Sequence, residues 1–394
     1  MASFKKYKNN SGEFWLFKMT TGIDPETGKY KHTTRRGFKT KKEAQIVASQ
    51  MLRDIGKGKK VTVPRKIFGE VLNEWLEYYE VSGVKTSTII NRKTTGIPHL
   101  LRFFNKLQIS AITRKVYQNM LNDLADEGYA KGTIDTVNIV GRMVFKYAIE
   151  QEYIRESPVT YAKLPLRKKT IQELKELTFD DQFLEKCELI QLLEVIKKEK
   201  NLIDYAIFLT LSYTGMRIGE LLALQWDDIN FKENSIRICK TLFREKNTVS
   251  LFELTPPKTF KSNRLIAVDT EVIAILSQLF LKQEDVKKQF PGYLNENFVF
   301  AKLEGEYAGY PELRRRIGYR LNEYLRKAKI TKPITLHKFR HTHVSLLAQS
   351  GVSLPAIQER LGHESSETTT GVYLHVTKEL NQEIVTQFSK LLKS

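Results

Sequence analysis

Cysteine is almost missing: Cys187 and Cys239 are the only two in 394 residues. That excludes a disulfide scaffold and a cysteine-built zinc site, and it fits a reducing cytosol. The chain also lacks any run of eighteen uncharged apolar residues, so no segment reads as a membrane span. Its opening, MASFKKYKNN, has no apolar stretch of the kind a signal peptide needs. Internal repeats and low-complexity tracts are absent as well. Acidic residues are in short supply, with 45 Asp+Glu against 64 Lys+Arg, a net charge of +19. The excess is concentrated: residues 1–66 hold 17 basic and 5 acidic side chains, a net of +12. A small segment so charged points to a polyanion partner, because each phosphate it neutralises releases condensed counterions. A well-solvated surface is the bland alternative. What remains is globular, with 41% hydrophobic and 28% charged residues, and the length predicts more than one core.

Three segments follow along the chain. Residues 1–60 read as a short sheet plus one helix. Phe14–Met19 and Lys29–Phe38 are rich in aromatic and β-branched residues, and Asp24-Pro25-Glu26-Thr27-Gly28 between them has turn chemistry. Gly37 is expected to break the second strand. Thr40 and Glu43 have capping-box spacing, and Ala44, Val47, Ala48, Met51 and Leu52 recur at helical intervals. The cations Lys18, Lys29, Lys31, Arg35 and Arg36, with Trp15 and Tyr30 interleaved, could lie in a DNA groove as sheet readers do. Gly56–Lys60 reads as a basic linker. Residues 64–165 look wholly helical, beginning with the stripe Phe68, Val71, Leu72, Trp75, Leu76 and Tyr79. Breaks are expected near Gly83, Pro98 and Gly128. Residues 175–394 form the largest unit. Helices are expected over 187–199, 201–213, 216–226, 270–288, 311–329, 337–350, 354–361 and 367–376, with a small sheet at 235–268.

Chemistry-bearing residues cluster near the C-terminus. Five of seven histidines, His337, His341, His343, His363 and His375, fall within a short stretch. His337 and His341 have the i, i+4 spacing of zinc ligands on a helix. No glutamate follows His337, however, and Lys338 and Arg340 between the two rings would repel a divalent metal. His337 and Arg340 share a helical face, whereas Phe339, His343, Leu346 and Leu347 occupy another that should pack the core. A forked guanidinium and a titrating imidazole make a phosphate-binding, proton-transferring pair. Upstream, Thr214-Gly215-Met216-Arg217-Ile218-Gly219-Glu220 opens a helix with Arg217 and Glu220 three apart. A carboxylate beside an arginine pre-aims it. Taken singly, Tyr373 could be packing, His363 a cap, Arg217 a surface ion pair and Lys258 a solvated turn residue.

Taken in order, these pieces resemble the tyrosine recombinase (phage-type integrase) family. They are Thr214–Leu221, then Pro257-Lys258-Thr259, then His337-x-x-Arg340-His341, then Leu361-Gly362-His363, then Tyr373. The match spans about 190–380. The two N-terminal segments resemble, in layout only, the longer integrases that add an arm-site DNA-binding domain and a helical core-binding domain. The fold class implied is multidomain, mainly α with small β-sheets: arm-type domain 1–60, helical core-binding domain 64–165, catalytic domain 175–394 with a tail helix.

The resemblance implies strand exchange through a 3′-phosphotyrosyl intermediate, two transesterifications that need neither ATP nor a metal and no other cofactor. Tyr373 is then the nucleophile, and His337 the general base or proton relay. Arg217 and Arg340 would clamp the non-bridging oxygens, with His363 donating a further hydrogen bond. Lys258 would protonate the departing 5′-oxygen, with Lys261 as its rival. Glu220 would brace the site rather than react. Implied partners are double-stranded core and arm DNA, a tetramer of the chain on DNA, an excision-directionality factor and a host DNA-bending protein. The setting would be the cytoplasm and nucleoid of a bacterial host, with no membrane role. Leu380, Ile384, Val385, Phe388, Leu391 and Leu392 form an apolar stripe that would pack on its own domain or dock on a neighbouring subunit. Integration and excision of a phage or integrative conjugative element is the reading. A chromosome-resolution recombinase, a DNA-binding regulator without chemistry, and a topoisomerase remain as rivals.

Overall fold

A computed structural model describes residues 2–9, 12–23, 30–56, 66–165, 183–245, 248–256, 262–362 and 369–376. The expected turn at 24–28, Lys29, the linker after Gly56, Lys258, Lys261, His363 and the tail stripe lie outside those residues. The chain divides into two compact units, residues 1–167 and 168–394.

The first unit opens with an antiparallel sheet in the order β1 (Ala2–Asn9), β2 (Gly12–Ile23), β3 (Tyr30–Phe38). Two strands were expected, and β1 is a third. Its run of lysines between Phe4 and Tyr7 hides the period-two signal, yet it pairs along β2 from Ala2↔Met19 to Asn9↔Gly12. Gly37 does not break β3. It sits at φ +95 as the extra residue where Trp15 pairs with Phe38 and Leu16 with Arg36. That is a β-bulge, which bends a strand without ending it. The helix α1 (Lys41–Gly56) is capped by the Thr40 hydroxyl, which accepts from the Glu43 N–H at 3.1 Å. Ala44 and Ala48 pack on Phe17 and Met19, but Leu52 is exposed.

The rest of the unit is a bundle: α2 (Phe68–Glu80), α3 (Thr86–Asn91), α4 (Ile97–Phe104), α5 (Arg114–Asp126) and α6 (Lys131–Glu150). Its core gathers Phe68, Trp75, Leu100, Phe104, Tyr117 and Phe145. Pro98 does not interrupt the chain of helical turns. A π-helical turn over Arg92–Gly96 joins α3 to α4, and Pro98 falls in the first turn of α4. The first turn has no use for the missing N–H, and the wider π-turn before it makes room for the ring.

The second unit is built on α8 (Leu202–Thr214), whose buried residues run all the way round it. Around it lie α7 (Lys186–Lys198), α10 (Thr270–Gln289), α11 (Arg314–Lys327) and α12 (Lys338–Gln349). Leu192, Phe208, Leu276, Leu321 and Phe339 meet in one core. A helix apolar on every side can only be central. The helix expected over 216–226 is shorter, α9 (Ile218–Leu222), followed by a 3-10 turn at Trp226–Asp228. Asp228 cuts it short because its carboxylate caps the new turn, accepting from the Gln225 N–H at 3.0 Å. The sheet β4 (Ile229–Asn230), β5 (Ser235–Ile238), β8 (Arg264–Ala267) and the hairpin β6 (Thr241–Phe243), β7 (Glu253–Thr255) fall in the expected stretch except β4, which precedes it. The helix α13 (Leu354–Leu361) ends at Gly362, and α14 covers 369–376.

Candidate active site

The end of α8 starts the site. Gly215 caps that helix at φ +60. A Cβ there would lie 2.6 Å from His343 Cδ2 and 2.9 Å from Leu361 Cδ2, so the close approach of α12 and α13 also requires glycine. The Gly215 carbonyl accepts from Arg340 Nη1 at 2.9 Å, and the Leu361 carbonyl accepts from Nη2 at 2.8 Å. One fork thus ties the ends of α8 and α13 together. Burial, and then the charge of Arg217, push the Arg340 guanidinium down to about 9. It remains cationic at neutral pH, and an arriving anion would relieve its poor solvation.

Arg217 sits at the N-cap of α9. Its N–H donates to Glu220 Oε2 at 2.9 Å, and its Nη1 to Oε1 at 2.8 Å. The Arg217 side chain keeps 37% of its exposure while Glu220 keeps 3%. An arginine held by a buried carboxylate but still open to solvent is aimed outward. Burial pushes the Glu220 carboxyl up, but the hydrogen bond and charge of Arg264, then Arg217, outweigh it and hold it below the usual range. Glu220 is therefore ionised throughout neutral pH and serves as a brace.

His337 caps α12. Desolvation pulls its pKa below the ordinary imidazole value, aided by Arg340, Arg217 and Arg314. A ring neutral at physiological pH can accept a proton. His341 lies near-perpendicular to it with ring centroids 5.1 Å apart, and burial followed by the His337, Arg340 and Lys338 charges brings His341 down to about 4. His343 goes to the core, as its face predicts. Its Nδ1 lies 2.9 Å from the Ser212 carbonyl and its Nε2 accepts from Arg360 Nε at 3.2 Å. A carbonyl only accepts, so the ring is neutral with its proton on Nδ1. Burial, with the Arg360 charge behind it, lowers this group to about 4.

Tyr373 belongs to α14. Val372 and Val376 of that helix are buried with Val344, Ala348, Ile357 and Leu361, and Tyr373 packs partly buried on the same cluster. The two helices that carry Arg340 and end at Gly362 thus form the bed for the tyrosine helix. Arg217, Glu220, His337 and Arg340 are brought together, and Lys258 and His363 fall outside the described residues. The sequence reading missed Arg264 and Arg360. In β8 Ile266 is buried while Leu265 and Ala267 are exposed, so alternation puts Arg264 on the inward face, a placement that Arg264-Leu265-Ile266-Ala267 does not announce by itself.

The amino-terminal sheet splits the expected DNA contacts. Phe17 and Met19 face α1, and Trp15 packs with them. Trp15 therefore does not interleave with the outward cations. The register pairs Lys18 with Thr34 and Leu16 with Arg36 on the opposite face, where Lys5, paired with Leu16, joins them. Lys31 and Arg35 alternate onto the helix side; all four expected cations in the described residues are exposed.

Known proteins bear on this arrangement. The profile of the phage integrase family matches residues 182–379. An arm DNA-binding domain matches residues 3–55, and the N-terminal SAM-like domain of phage integrases matches 67–125. The integrase of Staphylococcus phage L54a is 32% identical over 334 residues, covering 82% of this chain and 93% of that protein. The ICEBs1 integrase of Bacillus subtilis is 27% identical over 396 residues, 99% of this chain and 100% of the relative. The Tn1549 transposon integrase, solved in complex with a circular intermediate DNA, shares the fold with a TM-score of 0.62 at 20% identity, covering 81% of this chain and 99% of that one. A lambda integrase tetramer bound to a Holliday junction aligns with a TM-score of 0.55 at 16% identity, over 93% and 94% of the two chains. With residues 182–379 matched by that family and relatives of up to 32% identity aligned across 82% or more of its length, the chain belongs to the phage integrase family and is a site-specific tyrosine recombinase.

Proposed function

We propose that this recombinase integrates and excises a mobile element, with Tyr373 as nucleophile on the scissile phosphate. The Tyr373 oxygen bonds to phosphorus at the 3′ side, and the 5′-oxygen leaves. Arg217 and Arg340 hold the non-bridging oxygens where charge builds up, and neutral His337 takes up or relays the phenol proton. Lys258, or its rival Lys261, protonates the 5′-oxygen, and His363 adds a hydrogen bond to the phosphate. Glu220 keeps Arg217 in place. The observation that carries this reading is the pair of differently held guanidiniums, Arg340 fixed by two carbonyls and Arg217 braced by Glu220, beside one neutral imidazole.

The 1–60 segment binds arm sites through the face bearing Lys18 and Arg36, with residues 64–165 and 175–394 on the core site. The working assembly is a tetramer on DNA. An excision-directionality factor and a host DNA-bending protein set direction, and the tail stripe docks on a neighbouring subunit. The setting is the bacterial cytoplasm and nucleoid. Among the described residues no helix is long and apolar enough to cross a membrane.

Incubation with a nicked core-site duplex, followed by denaturing electrophoresis, tests the chemistry. A covalent protein–DNA band that disappears in Tyr373→Phe is expected. DNA binding with no covalent band in the parent protein would instead leave a regulator.

A further inference from the structure

Glu220 braces more than Arg217. Arg264 Nη2 donates to Glu220 Oε2 at 2.8 Å, so the carboxylate is shared by two guanidiniums from different elements, the start of α9 and strand β8. The other nitrogens of Arg264 are also committed. Nε donates to the Arg360 carbonyl at 3.0 Å, and Nη1 to the Ser262 carbonyl at 3.1 Å. The Arg264 side chain is 6% exposed. It is buried on the inward side of β8 and has no open face for DNA.

The acceptors matter for what they connect. Arg360 and Leu361 are the last two residues of α13, whose C-terminal carbonyls need partners from outside the helix. Arg264 takes the first carbonyl and Arg340 takes the second. Arg360's own side chain reaches back, donating to the Tyr213 carbonyl at 3.0 Å and the Ala267 carbonyl at 3.1 Å. Two arginines therefore grip the same helix end, and one of them also holds the carboxylate that aims Arg217. The Ser262 carbonyl adds a tie to the chain leading out of the segment that bears Lys258.

We propose that Arg264 is a positioning residue for strand cleavage, fixing Arg217 through Glu220 and the end of α13 through the Arg360 carbonyl. The inference rests on the reading of Arg217 as a phosphate clamp. A lysine cannot replace the fork, since one ammonium cannot span a carboxylate and a carbonyl with fixed directions. Arg264 touches no substrate and acts only by where it holds Arg217 and the end of α13.

The test compares cleavage rate constants at saturating core-site DNA on two duplexes. One has an ordinary scissile phosphodiester. The other carries a methylphosphonate there, in which a methyl replaces one charged non-bridging oxygen, so an arginine clamp has less charge to balance. Arg264→Met should slow cleavage of the phosphodiester on the order of 10²-fold, the cost of misplacing a catalytic group by about 1 Å. Its deficit relative to the parent protein should shrink on the methylphosphonate, in parallel with Arg217→Ala. An equal deficit on both duplexes would show a purely structural role and overturn the proposal. If Arg264→Met does not fold, Arg264→Lys decides: it keeps the Glu220 ion pair but loses the carbonyl tethers. A slowed, methylphosphonate-sensitive rate supports the proposal, and an unchanged rate rejects it. Failure of Arg217→Ala to recover on the methylphosphonate would instead remove the clamp reading itself.

Discussion

Lys18 and Arg36 stand on an open sheet face, side chains exposed to solvent, whereas Arg340 and Arg264 are buried and tied down at nearly every nitrogen. Both regions carry excess positive charge for the same polyanion, yet the physics differs. An exposed cation is screened by salt and keeps its rotamer freedom, so its attraction to phosphate is broad and tolerant of geometry. A buried guanidinium has already lost its water and its freedom during folding. What it offers an anion is a fixed direction in a poorly screened place. On the proposed function, the first kind of charge would bring DNA to the protein and the second would make one phosphate reactive.

The sharpest way to break that contrast is to alter the buried fork while keeping its charge. Arg340→Lys should lower the cleavage rate constant by roughly 10²–10³-fold, the cost of one lost oxyanion donor. DNA affinity should change little, because the substitution keeps the positive charge. Gel-shift titration and single-turnover cleavage on one core duplex measure the two separately. If Arg340→Lys cleaves within a fewfold of the parent rate, geometry is not what this region contributes. The same substitution at Arg36 should leave cleavage untouched.

The two regions also differed in how far they could be read from sequence. The elements of the candidate site were legible because local rules fix them: Gly215 and Gly362 stop helices, and Arg217 and Glu220 meet by helical spacing alone. Arg264 and Arg360 were not, since their partners lie far along the chain and only tertiary packing brings carbonyls 213, 267 and 360 together. In the amino-terminal sheet the strand β1 was missed because its lysines mask the alternation. Gly37 and Pro98 were over-read as breaks: a bulge and a π-turn absorb them, and neither device has a composition signal of its own. The face that each cation occupies needed the strand register, which the sequence does not carry.

Acid should separate the units next. His343 is neutral in the folded protein, its pKa near 4, against about 6.5 when unfolded. The unfolded chain therefore binds a proton first. Stability contributed by the neutral ring is intact above pH 6.5 and is lost progressively as pH falls toward 4. The full loss is about 3 kcal/mol. His341 titrates in the same direction. Thermal melts followed by a probe in the second unit should thus drop in this window. His343→Gln, which can still donate to Ser212 and accept from Arg360, should flatten that drop. A drop of equal size in His343→Gln would assign the acid sensitivity elsewhere.

The smallest effect tests which sheet face meets DNA. Removing one phosphate contact lowers the slope of log affinity against log salt by about 0.9, so the affinity loss between 50 and 200 mM salt becomes roughly threefold smaller. Lys18→Ala and Arg36→Ala should each reduce the slope for arm-site DNA by that amount, and so should Lys5→Ala, because the register puts Lys5 on the same face. Lys31→Ala and Arg35→Ala, on the side of α1, should change it less. Equal slopes for all five would mean that the sheet acts as a diffuse cloud of charge with no preferred face. A larger change from Arg35 than from Arg36 would turn the sheet over, putting the helix side against the groove. Because each of the five variants loses one positive charge, the difference in slope reports geometry alone. It asks of the exposed region the question that Arg340→Lys asks of the buried one.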